Sequence, residues 1–396
     1  MSRPVVYLLP HEDRRLGAGH LWVFSNEIDT HRSPLGSFAP GDPVVLADVR
    51  GRRLGMGYIN PHSLITVRLL SRDPGSEIDA RFFHDRFERA FAVRRPFGIE
   101  RFGRLVFGES DRLPGLVVDR YGDYLVVQIT TAGMERWREV IRDALVGSCA
   151  PRGILYRNDS DARKLEGLPA GVEEAWGTVP QSVTVEEGGR VFAVSPWRGQ
   201  KTGWYYDQRE HRLRIAREAP RGRVLDVFSY VGGFGISALA GGSQEAVLID
   251  QSEEALERAR SNAAANGLPA PRTLAGDAFE ILRALGEDEE RFELVIVDPP
   301  AFIKRRKDQR EGLLAYERLV TRAARLVASG GWLVFASCSS HLEARDFRGV
   351  FARGVRRAGR EARIVSVGGQ GPDHPIHPWI PETSYLQVLY GVIEEG

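Results

Sequence analysis

The sequence predicts an α/β protein: a doubly wound, Rossmann-like parallel sheet in the carboxyl-terminal half, a central α+β region, and a small β-barrel at the amino terminus. Three observations carry this. From about residue 190, short apolar runs alternate with segments of helical periodicity, as in parallel sheets buried on both faces. Residues 73–188 mix helical and strand periodicity, and residues 1–72 hold short, regularly spaced strands separated by turns. The expected boundaries are therefore 1–72, 73–188 and 189–396. A chain of 396 residues, at ~150 residues per domain, agrees with two to three domains.

In the first region Pro40-Gly41-Asp42-Pro43 has turn chemistry, and strands are expected at 44–49, 54–59 and 64–70. Residues 71–76 read as a linker. Phe82, Phe83, Phe87, Ala90, Phe91 and Val93 then recur at helical spacing, which predicts an amphipathic helix over 79–95. Strands follow at 104–107, 115–119 and 124–129, a helix at 134–147, and further strands at 153–156 and 183–185. In the last region strands are expected at 224–228, 246–250, 273–275, 294–298 and 332–336. Helices separate them, one capped by Ser252 with Glu253 and Glu254 in its first turn, others at 278–285 and about 311–328.

Composition narrows the function classes. Hydrophobic residues at 42% and charged residues at 27% exclude global disorder. No apolar run approaches the ~18 to 20 residues of a membrane-spanning helix, and the apolar stretch at the amino terminus is too short for a secretion signal. A cytoplasmic protein without membrane partners is expected. Cys149 and Cys338 are the only cysteines, so a disulfide scaffold and a four-cysteine zinc site are excluded, and no metal is expected. Net charge is +1, but only four of the 54 cations are lysine. Arginine suits phosphate pairing and base stacking, although a GC-rich genome explains much of this bias.

Ligands of doubly wound sheets sit at the carboxyl ends of the strands. Asp226, Asp250, Asp277, Asp298 and Cys338 all fall at or just beyond such ends. The loop Ser229-Tyr230-Val231-Gly232-Gly233-Phe234-Gly235 places flexible backbone before a helix N-terminus, a cradle for a nucleotide-like ligand. It does not match the G-x-G-x-x-G fingerprint of dinucleotide sites. An adenosyl ligand without a pyrophosphate fits better: the loop for a methionine part, Asp250 for the ribose hydroxyls, Asp277 for the adenine amino group. Each acid alone is commonly a strand-end cap, but four at successive strands form a pattern. Asp298-Pro299-Pro300-Ala301-Phe302 is a rigid turn after a buried strand, and its carboxylate could address the polar edge of a base while Phe302 stacks on it. Cys149 reads as an inert packed thiol. Cys338 follows a strand in the polar setting Ser337-Cys338-Ser339-Ser340-His341, where a helix starting near His341 would lower its pKa. Position alone leaves nucleophile and packing equally open.

Taken together these strings resemble the RlmI/RlmO-type large-subunit (23S) ribosomal RNA cytosine-5 methyltransferases, which use S-adenosyl-L-methionine. The resemblance runs almost end to end. Gly19-His20-Leu21-Trp22-Val23-Phe24-Ser25-Asn26-Glu27-Ile28 and the stretch from Pro40 to Ser63 are similar to the family's PUA domain, an RNA-binding barrel. Glu109 to Arg120 is similar to its central domain, and Lys201-Thr202-Gly203-Trp204-Tyr205-Tyr206-Asp207-Gln208-Arg209 to the segment before its catalytic core. Phe228-Ser229-Tyr230-Val231-Gly232-Gly233-Phe234 resembles the cofactor loop, Asp298-Pro299-Pro300 the fourth-strand motif, and Ser337-Cys338-Ser339 the nucleophile segment.

The resemblance implies that Cys338 adds to C6 of a cytosine while Asp298 holds its N3 edge, so that C5 becomes nucleophilic. It implies a cofactor site of Thr202, Tyr205, Asp226, Phe228, Ser229, Tyr230, Gly232, Gly233, Asp250, Gln251, Asp277, Ala278, Asp298 and Pro299. Ribosomal RNA contact is expected at Arg209 and at Arg305, Arg306 and Lys307, which follow the Asp298 turn, with Arg14 and Arg15 further candidates that read nearly as well as solvated surface. Many RNA cytosine-5 methyltransferases carry a second cysteine in the fourth-strand motif; this chain has none there, so the base that removes the C5 proton is unassigned. Two alternatives remain open: an exocyclic amino-group methyltransferase on RNA, which needs no thiol, and a non-catalytic RNA-binding ribosome-assembly factor. A dinucleotide dehydrogenase is a distant third. The oligomeric state, a homodimer included, is not legible in the sequence.

Overall fold

The computed structural model describes residues 3–303 and 305–396, and the chain forms two compact units. The first takes the residues up to Val183 together with Ser195–Tyr206 and Pro372–Thr383; the second takes Thr184–Val194, Asp207–Gly371 and Ser384–Gly396.

The first unit holds two five-stranded sheets. The amino-terminal one contains β1 (Val5–Tyr7), β2 (Trp22–Phe24), β3 (Asp42–Ala47), β4 (Arg53–Ile59) and β5 (Ile65–Ser71), with the short α1 (Arg14–Ala18), in the order β1-β3-β4-β5-β2. Only β1 and β3 run parallel. Val6, Leu46, Ile59 and Val67 are fully buried inside it, where each side chain contributes roughly 1.5–3 kcal/mol.

The second sheet is built from β6 (Phe102–Phe107), β7 (Leu116–Tyr121), β8 (Tyr124–Ile129), β9 (Gly153–Asn158) and β10 (Gly171–Gly177). Helices α2 (Ala80–Arg94) and α4 (Arg138–Cys149) bury Phe83, Phe87, Ile141 and Leu145 against it, with α3 (Ala132–Arg136) and α5 (Ala162–Leu165) in its connections. Asp79 caps α2 by accepting from the Phe82 N–H at 2.8 Å. Buried polar contacts tie the two sheets together. The Tyr58 hydroxyl donates to the Pro114 carbonyl at 2.8 Å, and Glu166 takes both Arg68 at 2.8 Å and the Asn60 amide at 2.7 Å.

The second unit begins with the hairpin β11 (Val183–Glu187) and β12 (Arg190–Val194), then α6 (Arg209–Glu218). Alternation follows: β13 (Arg223–Val227), α7 (Gly233–Ala240), β14 (Glu245–Asp250), α8 (Glu253–Ala265), β15 (Arg272–Ala275), α9 (Ala278–Glu287), β16 (Phe292–Val297), α10 (Gln309–Leu326), β17 (Val327–Ser337) and α11 (Ala344–Arg357). It closes with β18 (Arg360–Gly368) and β19 (Gln387–Glu395). The seven strands lie in the order β15-β14-β13-β16-β17-β19-β18, parallel through β17 and antiparallel for the last two pairings. The central strands are apolar throughout because helices cover both faces; Leu225, Val227, Val247, Val295 and Leu333 are fully buried. Asn266 and Asn262 of α8 accept from the N–H groups of Val191 and Ala193 at 2.9 and 2.7 Å, fixing the hairpin to the sheet unit.

The expected α/β class and the β–α–β order hold. The antiparallel pair β18–β19 is an addition: β18 is largely exposed and reads as no clear apolar run. The helix after Cys338 begins at Ala344 rather than near His341.

Candidate functional site: the carboxyl edge of the seven-stranded sheet

Strand order decides what stands beside what. Along the carboxyl edge, β15, β14, β13, β16 and β17 present Asp277, Asp250, Asp226, Asp298 and Cys338 in that order. Residues spread over more than a hundred positions of sequence thus share one rim, with neighbouring strands about 4.8 Å apart.

The turn after β13 is strained. Phe228 and Tyr230 have φ of 66° and 49°, a left-handed conformation costly for side chains with a Cβ, and Gly232 has φ 83°. The strain is held from several sides. The Ser229 N–H donates to the Ile249 carbonyl at 2.9 Å, and the Tyr230 N–H to Asp250 Oδ2 at 2.8 Å. Asp226 Oδ2 accepts from the Gly235 N–H at 2.8 Å, at the start of α7. The result is a backbone cradle whose two flanking carboxylates are locked by backbone donors. Asp250 is further fixed by the Ser252 N–H at 2.9 Å, and Ser252 in turn caps α8.

Two buried polar atoms here have no protein partner: Asp226 Oδ1 and Ser229 Oγ. Such atoms cost about 1–3 kcal/mol each unless a ligand satisfies them. Burial, reinforced by the carboxylates of Asp298 and Asp250, pushes Asp226 up to about 7, against the opposing Gly235 N–H. A cationic ligand group would relieve that. These residues fit an adenosyl-methionine type of ligand, whose ammonium suits Asp226 and whose ribose suits Asp250.

The other members of the expected cofactor set are distributed as follows. Asp277 is exposed and caps α9 by accepting from the Glu280 N–H at 3.1 Å, with one carboxylate oxygen engaged there; Ala278 beside it is buried and Gln251 is exposed. Gly232 and Gly233 are buried in the loop, and Pro299 is buried behind Asp298. Thr202 and Tyr205 belong to the first unit. Thr202 is fully buried and donates its hydroxyl to Asp119 Oδ2 at 2.5 Å, an acid already gripped by Arg104 at 2.8 and 2.7 Å. The Tyr205 hydroxyl donates to Gln200 at 2.5 Å, and Lys201 lies over its ring at 4.2 Å.

On the β16–β17 side, Asp298 is half-buried and Gln208 Nε2 donates to its Oδ2 at 2.9 Å. Gln208 is itself buried, and its Oε1 has no protein partner. Cys338 is half-buried, while Cys149 is buried and burial pushes its thiol up to about 11. Cys338 sits between two serines that hydrogen-bond inward. Tyr316 of α10 is the hub: its hydroxyl accepts from Ser337 Oγ at 2.9 Å, lies 2.7 Å from Ser339 Oγ, and accepts from the Phe302 N–H at 3.2 Å. Ser339 Oγ also accepts from the Ile303 N–H at 3.3 Å. The cysteine segment and the Asp-Pro-Pro turn are thereby pinned to one buried phenol. Phe302 packs on the Tyr316 ring at 4.7 Å, so one of its faces is already occupied.

Of the basic residues, Arg306 and Lys307 are exposed in a helical turn after the Asp-Pro-Pro segment, and Arg305 is exposed 3.4 Å from Asp308. Arg209 is buried, 3.7 Å from Glu187. Arg14 and Arg15 begin α1, with Arg15 paired to Glu27 at 2.6 Å. Gln208 and Tyr316 were not singled out by sequence reasoning. Gln208 had a signal, since it lies inside the Asp207-Gln208-Arg209 string; Tyr316 had none, being one aromatic among the apolar positions of a helix.

Comparison with known proteins bears on the family and the fold. Residues 6–72 match the model of a PUA-like domain, and residues 147–349 that of an S-adenosylmethionine-dependent methyltransferase. A ribosomal RNA large subunit methyltransferase I from Aeromonas salmonicida is 37% identical over 97% of this chain and 98% of its own. In fold the chain is similar to a candidate SAM-dependent methyltransferase from Streptococcus mutans (TM-score 0.82, 17% identity, 98% of this chain and 100% of that one). It is equally similar to a candidate methyltransferase solved with SAH (TM-score 0.81, 18% identity, 99% and 100%). Among the described residues no helix is long and apolar enough to cross a membrane, and no cluster of metal-ligating side chains occurs. The amino-terminal sheet is thus a PUA-like domain, and the chain belongs to the ribosomal RNA large subunit methyltransferase I family of S-adenosylmethionine-dependent methyltransferases.

Proposed function

We propose that this protein methylates C5 of a cytosine in large-subunit ribosomal RNA through a covalent Cys338 adduct. The observation that carries the reading is the half-buried thiol of Cys338 just past β17, next in strand order to Asp298 just past β16 and one strand further from the Asp226 loop. A methyltransferase acting on an exocyclic amino group has no use for a thiol there. S-adenosylmethionine supplies an electrophilic methyl group.

The chain's own residues do the rest. The Asp226–Gly235 loop and Asp250 hold the cofactor. Asp298, oriented by Gln208, holds the N3 edge of the base. The thiolate of Cys338 forms an S–C6 bond, and the C5=C6 π electrons move onto C5, making a carbon nucleophile where the aromatic ring offers none. After methylation a base removes the C5 proton, the C5=C6 bond reforms and the S–C6 bond breaks, returning the thiolate. A cytosine within a helix must first leave its stack.

Replacing Cys338 by Ala tests this directly. Methyl incorporation into deproteinised large-subunit RNA is expected to fall by at least about 10³-fold, with S-adenosylmethionine binding intact. RNA carrying 5-fluorocytidine should trap the wild-type adduct, because C5 then has no proton to lose. Activity retained by C338A would move the reading to amino-group methylation.

A further inference from the structure

One helix of the sheet unit carries a row of cations that the chemistry at the carboxyl edge does not use. Arg310, Arg318, Arg322 and Arg325 of α10 are spaced by eight, four and three residues, which places them on one face of the helix. Arg310, Arg318 and Arg325 are exposed and Arg322 is half-buried. Among the described residues none of the four has a carboxylate within ion-pair distance, whereas Arg283 has Glu280 and Glu287, and Arg353 and Arg357 have Glu317.

Neutral groups hold the middle two, Arg318 and Arg322. The Phe279 carbonyl accepts from Arg322, and Arg318 and Arg322 each lie 5.6 Å from the Phe279 ring. Backbone and ring contacts orient a guanidinium without cancelling its charge, so the row keeps its positive field.

Each end of the row opens into a groove. At the amino-terminal end, Arg310 joins Arg306, Lys307 and Arg353 around a groove of about 580 Å³ that also contains Glu317. At the other end, Arg322 and Arg325 meet Arg291 and Arg360 around a groove of about 500 Å³, where Glu287 is bound to Arg283. Arg360 donates to the Glu394 and Val327 carbonyls and its Nη2 has no partner. Glu311 is the exposed acid on this side of the helix. From Arg310 to Arg325 the rise is about 22 Å, long enough for several phosphates of a nucleic-acid strand.

We propose that this face of α10 is an RNA-contact surface, along which the substrate's phosphate backbone runs from the turn beside Asp298 toward the opposite rim of the sheet. The assignment rests on the reading that the substrate is RNA. The geometry fits a polyanion of fixed spacing: guanidinium forks without carboxylate partners, set in line.

The test is binding of deproteinised large-subunit ribosomal RNA between 50 and 200 mM KCl. Neutralising the three exposed members (R310Q/R318Q/R325Q) leaves Arg322 and its packing in place. The slope of log K against log salt should flatten by about 2 to 3, at ~0.7–0.9 per phosphate contact, with the melting temperature and S-adenosylmethionine affinity retained. A control on α11, R345Q/R348Q/R356Q, removes the same charge elsewhere and should leave the slope within about 0.5 of wild type. An unchanged slope in the first variant, or an equal loss in both, overturns the proposal. Methyl incorporation by the wild type is read separately: its absence would sink the function proposed above while the two slopes still decide this surface.

Discussion

The two halves of the carboxyl edge are built on opposite principles. On the β13–β14 side the backbone is forced into left-handed turns at Phe228 and Tyr230, and buried polar atoms of Asp226 and Ser229 are left without partners. On the β16–β17 side the buried hydroxyls of Ser337, Ser339 and Tyr316 satisfy one another, and they pin both reactive segments. The first half stores unmet hydrogen-bonding capacity at Asp226 and Ser229, as a ligand site must; in the second the serine–tyrosine support is closed, and the unmet capacity is confined to Gln208 Oε1 beside Asp298. Stability and function should therefore trade off in the first half and move together in the second.

Asp226 gives the largest contrast. Burial raises its folded pKa to about 7, well above the usual carboxylate range, so the folded state binds a proton that the unfolded state has lost. Stability from this group is greatest below about pH 4, declines as pH rises, and levels off above about 7. D226N should raise the melting temperature of the cofactor-free protein at pH 8 and have little effect near pH 4. It should also weaken S-adenosylmethionine binding about 10- to 100-fold, the scale of a lost hydrogen bond to a charged group. Calorimetric titration and thermal melts across pH read both effects, and a variant that is neither stabilised nor impaired would erase the distinction between the halves.

Gln208→Ala sharpens the second half. With the amide gone, Asp298 loses the donor at 2.9 Å. The rate constant kcat is expected to drop about 10- to 100-fold through misplacement, while cofactor affinity stays within about twofold. A smaller but coupled effect should follow Tyr316→Phe. Loss of the shared hydroxyl leaves Ser337 and the Phe302 N–H short of a partner and should lower unfolding stability by about 1–3 kcal/mol, read by urea denaturation, with a parallel slowing of 5-fluorocytidine adduct formation. Faster adduct formation in this variant would mean that the phenol restrains the thiol rather than presenting it.

The elements that sequence reasoning reached are those written in local pattern. Buried parallel strands advertise themselves as apolar runs, so the residues just past them, Asp226, Asp250, Asp277, Asp298 and Cys338, could be placed on one rim before any coordinates. Ser252 and the acids after it marked a helix start, and the structure puts the cap there. What escaped depends on long-range pairing. Tyr316 meets Ser337 across 21 residues, and Gln208 meets Asp298 across 90. Thr202 finds Asp119 across 83 residues, which no local pattern reports. The edge strand β18 was missed because its exposed residues mix charged and apolar types and leave no alternation to read, and β19 because its partners on either side, β17 and β18, are set by long-range pairing.

The path of the chain carries one more consequence. It passes between the two units five times, lending the hairpin before Ser195 to one and the stretch Pro372–Thr383 to the other. Neither unit is a contiguous stretch of gene. A single cut anywhere between Val183 and Ser384 divides at least one of the two, so no one boundary excises the unit of the seven-stranded sheet whole, and exchanging it would require a junction at each crossing.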